Sequence, residues 1–163
     1  IVSLDAGVIY KGYHSDAART HAVGEVSEEA KKLIQVTKEC FFEGIKYAKA
    51  GNHLFDISGA IGRYAEERGY GVVRDLCGHG IGTALHEAPE IPNYEVGRKG
   101  VKLRPGMTLA IEPMINIGTY EVDWLDDDWT VVTRDGSLSA HYENTILITE
   151  GEPRILSLTC DNE

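Results

Sequence analysis

Four carboxylates stand inside runs that otherwise read as apolar strands, and no other feature constrains the fold as much. Asp5 follows Ile1-Val2-Ser3-Leu4, and Asp16 lies on the run that returns after Lys11-Gly12. Glu112 interrupts Leu109-Ala110-Ile111-Glu112-Pro113-Met114, and Glu143 precedes Asn144-Thr145-Ile146-Leu147-Ile148. A buried carboxylate without a partner is strongly unfavourable, so each needs a hydrogen bond, a cation or a shifted pKa. Taken singly, each is most simply a half-exposed or hydrogen-bonded acid. They form a site only if the fold gathers them around positive charge.

Residues 1–10 and 13–23 read as two strands around a tight turn at Lys11-Gly12. With those two residues as the turn, Asp16 faces Gly7 and shares a sheet face with Asp5. A turn centred one step earlier, on Tyr10-Lys11, sets Asp5 and Asp16 directly opposite. Either register holds the two carboxylates within roughly 5–8 Å of each other. Two like charges at ~4 Å repel by about 4 kcal/mol at an effective dielectric of 20, and a divalent cation between them reverses the sign.

Ser27-Glu28-Glu29-Ala30 then has the form of a helix start, with acid in the first turn. Leu33, Val36, Cys40, Phe41, Ile45 and Ala48 recur at helical spacing as far as Ala50-Gly51-Asn52. A second amphipathic helix is predicted from about 55 to 68, closed by Gly69. Glycine and proline mark 70–106 as a long looped region, followed by strands over 108–117, 129–133 and 141–149. Strands, two helices and more strands predict an α+β fold, with helices on one face of an antiparallel sheet, as one domain over 1–163.

Within the loop, Gly78-His79-Gly80-Ile81-Gly82 precedes Leu85-His86-Glu87-Ala88-Pro89. Flanking glycines let backbone close around an imidazole, the commonest nitrogen ligand and acid–base group. The His86-Glu87 pair is not a helical HExxH motif, because position 90 is Glu and Pro89 breaks the helix that motif requires. Asp5, Asp16, Glu112 and Glu143 carry four negative charges and a neutral His79 none, a total that two divalent cations balance. Oxygen-rich ligation with one nitrogen suits cobalt, manganese, iron or zinc. Such a pair lowers the pKa of a shared water from 15.7 toward ~7, which suits amide hydrolysis.

The formal charge of −10 argues against a general nucleic-acid binder. No run reaches the roughly 18 apolar residues of a membrane span, and the start has no signal-peptide pattern. Cys40, Cys77 and Cys160 are odd in number and lack CxxC spacing, as expected of free thiols in the cytoplasm. Ile1 opens in mid-strand without Met, so preceding residues are expected.

The ordered set of these motifs resembles the metallopeptidases of the pita-bread fold over essentially the whole chain. It comprises Asp5 and Asp16 eleven positions apart, Gly78-His79-Gly80-Ile81-Gly82, His86-Glu87-x-Pro89, Leu103-x-Pro105-Gly106-Met107, Ile111-Glu112-Pro113-Met114 and Ser139-Ala140-x-Tyr142-Glu143. Glu112-Pro113-Met114, Trp129-Thr130-Val131 and Ser139-Ala140-His141-Tyr142-Glu143 are similar to the type I methionine aminopeptidases. The short path from His86 to Glu112 leaves no room for the insertion of type II.

That resemblance implies removal of the initiator methionine from nascent polypeptides by a monomeric cytoplasmic enzyme with two divalent metal ions. Asp5 binds one metal, Asp16 and Glu143 bridge both, and His79 and Glu112 complete the other shell. His86 donates to the scissile amide, Glu112 shuttles the proton, and Leu85 and Trp129 line part of the methionine pocket. Ordinary core packing is the competing reading for Leu85. His141 and Asn144 stand where many members carry Gln and His. His141 shares the strand face of Glu143, although a surface position is the simpler reading, as for His14, His21 and His53. Asp126-Asp127-Asp128 reads as a solvated loop. The chain matches the C-terminal part of the family's two-half fold, so an N-terminal half, with another substrate-side histidine, is expected outside it. Two alternatives stand beside this reading. One is an X-Pro peptidase of the prolidase or aminopeptidase P kind, and the other is an inactive fragment or binding module of the same fold.

Overall fold

Lys11 and Gly12 both take left-handed backbone angles (φ 50° and 84°), the two-residue turn whose twist suits paired strands. The computed structural model describes residues 1–158 and opens on this hairpin of β1 (Val2–Tyr10) and β2 (Tyr13–His21). Its register is the one set by a Lys11-Gly12 turn, with Gly7 facing Asp16 and Asp5 facing Ala18.

Helix α1 (Glu28–Ile45) starts where the Ser27 hydroxyl accepts the Ala30 N–H, and Glu28 and Glu29 in its first turn complement the dipole. It ends at Ile45, earlier than the Ala50-Gly51-Asn52 boundary expected from sequence. Helix α2 (Leu54–Glu66) packs against it. A Cβ on Gly44 would lie 2.5 Å from Ile61 Cγ1, so the close approach of the two helices requires glycine there.

The remaining strands are β3 (Gly71–Val72), β4 (Gly78–Gly80), β5 (Glu87–Ile91), β6 (Thr108–Ile111), β7 (Met114–Asn116), β8 (Val122–Trp124), β9 (Val131–Thr133), β10 (Ser139–His141), β11 (Asn144–Leu147) and β12 (Arg154–Ile155). Every strand pairing among the described residues is antiparallel. The single sheet expected from sequence is divided, however. A five-stranded sheet runs β12-β11-β6-β4-β5, a three-stranded sheet runs β10-β7-β3, and β1-β2 and β8-β9 are separate ribbons. Helix α1 packs on β7 and β10, and α2 on β3 and β5, around Leu33, Phe41, Leu54, Ile57, Ile61, Ile115 and Ile146.

The division arises at two acids. The strand expected over 108–117 breaks at Glu112-Pro113, where proline has no N–H to give to a ladder. The strand expected over 141–149 breaks opposite it, at Tyr142-Glu143. Each chain thus crosses from one sheet to the other, with β6 pairing β11 before the break and β7 pairing β10 after it. The Tyr142 N–H still donates to the Pro113 carbonyl (3.2 Å), while the Glu143 N–H turns to the Ala18 carbonyl of β2 (2.9 Å).

Part of the region read as loop, 70–106, is sheet. Strand β4 is wholly buried between β5 and β6, and its glycines allow this: a Cβ on Gly78 would lie 2.4 Å from the Ala110 carbonyl oxygen, and one on Gly80 2.2 Å from that of Ala88. Cys40 in the core and the half-buried Cys77 are free thiols, and Cys160 lies outside the described residues. Among the described residues no helix is long and apolar enough to cross a membrane.

Candidate metal centre

The crossing of strands turns several acids toward one open cavity of about 800 Å³, lined among others by Asp5, Asp16, His79, His86, Glu112, Trp129, His141 and Glu143. Asp16 comes from β2, His79 from β4, Glu112 from the end of β6, and Glu143 from the residue before β11. Asp16, His79 and Glu143 are buried, and each offers a ligand atom within 4.8 Å of the other two. The His79 Nε2 lies 3.9 Å from Asp16 Oδ2 and 3.5 Å from Glu112 Oε1.

His79 shows which of its nitrogens is available. Its Nδ1 is 2.9 Å from the Gly80 carbonyl oxygen, which can only accept, so Nδ1 carries the proton. In the neutral ring Nε2 then presents a lone pair to the acids, the tautomer a metal ligand needs.

The charge state of the cluster shows the strain of gathering it. Glu143 is pushed up to about 10, first by its removal from water and then by the charges of Glu112, Asp16 and Asp5, against the pull of Arg19. Asp5 lies on a strand exposed along its length, yet its carboxyl is also raised. Lost solvation at the cavity wall is the largest cause there, and Asp16 adds to it while His141 opposes it. Four carboxylates and one imidazole nitrogen facing one cavity fit divalent cations.

The backbone at Asp16, Glu112 and Glu143 is anchored by side chains. The Asp16 N–H donates to Thr145 Oγ1 (2.9 Å), and the same hydroxyl donates to the Asp16 carbonyl (3.0 Å). Asn93 Nδ2 donates to the Glu112 carbonyl (3.1 Å). Arg19 lies 4.0 Å above the Tyr142 ring and donates to Ala18 O, Glu143 O and Asn144 Oδ1. These anchors were not singled out from sequence. A lone Thr, Asn or Arg carries no local signal of such a role, because the group each one holds lies elsewhere in the chain.

The other singled-out residues divide. The His86 ring stands edge-on to His79, centroids 4.4 Å apart, and is exposed at the mouth of the cavity. Trp129 also borders the cavity but is 84% exposed and lies in a turn, since β9 begins only at Val131. Asp127 shapes that turn by accepting the N–H groups of Trp129 (3.0 Å) and Thr130 (2.8 Å), and Asp126-Asp127-Asp128 is exposed as expected. Leu85 packs over Gly7, where a Cβ would be 3.2 Å from its Cδ1, and is not among the residues lining this cavity. The surface position read for His141 is corrected: its side chain is only 14% exposed and its Nε2 lies 3.6 Å from Glu112 Oε2. His21 is exposed, and His14 and His53 are half-buried away from the cavity.

Comparison with known proteins places this geometry in a family. The model of metallopeptidase family M24 matches residues 1–150. The chain is 60% identical over 158 residues to a methionine aminopeptidase of Clostridium acetobutylicum, covering 97% of this chain and 63% of that protein. It is 51% identical over 150 residues to methionine aminopeptidase 1 of Bacillus subtilis, covering 92% and 60%. The crystal structure of methionine aminopeptidase from Thermotoga maritima superposes with a TM-score of 0.93 at 49% identity, over 96% of this chain and 63% of that one. Prolidase from Pyrococcus furiosus gives a TM-score of 0.74 at 28% identity, over 96% and 41%. This chain therefore spans less than two thirds of the relatives it matches, and it belongs to metallopeptidase family M24, with the α+β pita-bread fold.

Proposed function

We propose that this chain carries the metal-binding, hydrolytic part of a type I methionine aminopeptidase, which removes the initiator methionine from nascent polypeptides in the cytoplasm as a monomer. The observation that carries the reading is the buried convergence of Asp16, His79 and Glu143 in a chain that is 60% identical to a protein named methionine aminopeptidase. Asp5, Asp16, His79, Glu112 and Glu143 would hold two divalent cations, of cobalt, manganese, iron or zinc. When bound, these supply Lewis acidity that brings the pKa of water down toward about 7.

The chain's own groups do the rest. Glu112, with one carboxylate oxygen toward His79 and the other toward His141, would take a proton from water and return it to the leaving amine. His86, exposed beside His79, would donate to the carbonyl oxygen of the scissile amide as charge grows there. Trp129 offers an apolar face at the cavity edge for the methionine side chain, with Leu85 on the hairpin side.

The test is hydrolysis by the intact protein of peptides beginning Met-Ala or Met-Gly and of Xaa-Pro dipeptides, before and after chelation, with elemental analysis. Chelator-sensitive release of methionine is expected. Cleavage confined to Xaa-Pro substrates would support a prolidase-like enzyme, for which likeness at 28% identity is the weaker support. A metal-free protein that cleaves neither would be a binding module.

A further inference from the structure

The Glu112 carboxylate is bracketed by two imidazoles. Its Oε1 lies 3.5 Å from His79 Nε2 and its Oε2 lies 3.6 Å from His141 Nε2. The second imidazole is in a different condition from the first. His141 Nε2 is buried and has no hydrogen-bond partner among the described residues. A nitrogen in that state is costly, and Glu112 Oε2 stands just beyond hydrogen-bonding reach of it.

The approach is built into the fold. Strand β10 carries His141 opposite Met114, across the break that places Glu112. Its backbone is gripped on both sides by one hydroxyl: the His141 N–H donates to Thr20 Oγ1 (2.8 Å), which in turn donates to the His141 carbonyl (3.0 Å). Ser3 Oγ lies 2.8 Å from the same Thr20 Oγ1 and ties the grip to β1. The imidazole thus enters the cavity from a fixed backbone.

We propose that His141 is a positioning residue for Glu112: its Nε2–H donates to Oε2 and so holds Oε1 toward His79 and the acid cluster. The inference rests on the metallopeptidase reading above. A carboxylate is free to rotate about its last bond, and a donor on one oxygen fixes which lone pairs face a cation. Glu112 has no other side-chain donor within reach on that oxygen among the described residues.

The test is titration of the chelator-stripped intact protein with cobalt(II), followed by calorimetry and visible absorption, in wild type, His141→Ala and His141→Gln. His141→Ala is expected to weaken cobalt binding roughly 10–100-fold. His141→Gln, whose amide can donate to the same oxygen, is expected to recover most of that affinity with the wild-type absorption bands. Wild-type affinity in the Ala variant would overturn the proposal. So would a Gln variant as weak as Ala with a melting temperature lowered to match, which would mean a packing role. Shifted cobalt bands in the Gln variant would also overturn it, because the imidazole would then be a direct ligand. A wild-type protein that takes up no cobalt would refute the metallopeptidase reading itself, and the inference with it.

Discussion

Glu143 joins a functional requirement to a stability cost at a single residue. Its ordinary value is 4.5, and in the folded, metal-free chain it is pushed up to about 10. Between those values the unfolded chain releases a proton that the folded chain keeps. Its contribution is therefore fully present below about 4.5 and is lost as pH rises toward 10. In chelator, melting of Glu143→Gln should depend less steeply on pH than wild type and should occur at a higher temperature at pH 8. Calorimetric scans at pH 6 and 8 measure both, and an unchanged slope would contradict the assignment. The same variant should lose the metal-induced rise in melting temperature. Thr145 makes the complementary case: Thr145→Val leaves the buried Asp16 N–H without its acceptor. About 1–3 kcal/mol of stability should go, read from urea unfolding. At this scale sequence exposed the four acids and His79, because a charge inside an apolar run is conspicuous. Thr20 and Thr145 were not conspicuous, since their hydroxyls bond backbone groups more than a hundred residues away.

Elements were legible where local chemistry decides them. The register of β1-β2 follows from the Lys11-Gly12 turn, and α1 and α2 follow from apolar spacing and the Ser27 cap. Strands β4 and β5 were hidden, because a single histidine between two glycines carries no period, and Pro89 and Pro92 suggested loop. What makes β4 a strand is the space left by Ala110 and Ala88, a tertiary fact. Gly80→Ala should accordingly force β4 from its neighbours, because the opposing atom at 2.2 Å is backbone and cannot rotate away. A loss of about 1–3 kcal/mol is expected, together with weakened metal binding as His79 moves. A variant with wild-type melting temperature and cobalt affinity would show that the strand has slack.

Across the whole molecule, the elements that carry or adjoin the acid cluster and His79, namely β1, β2, β4, β6 and β11, are drawn from nearly the full length of the chain. The α+β class could be read from the order of strands and helices. The splitting into several sheets could not, because it depends on the paired breaks at Pro113 and Tyr142, which only meet once β6, β7, β10 and β11 are assembled. Such a site is complete only when all of these elements are assembled. Partial folding leaves its acids scattered, and the helices alone hold none of them.

The placement of Asp16 and Glu143 near opposite ends of the chain would give a cation bound by both a mechanical role. It would be a detachable staple, one that closes a loop around both helices. In the chain-entropy picture a closed loop of about 100 residues is worth roughly 4.7 kcal/mol. Trypsin can reach the exposed Arg98-Lys99 segment, and a cut there leaves Asp5, Asp16 and His79 on one piece and Glu112 and Glu143 on the other. With cobalt present the two pieces should travel together in gel filtration at moderate urea, and chelation should part them at a concentration the uncut protein withstands.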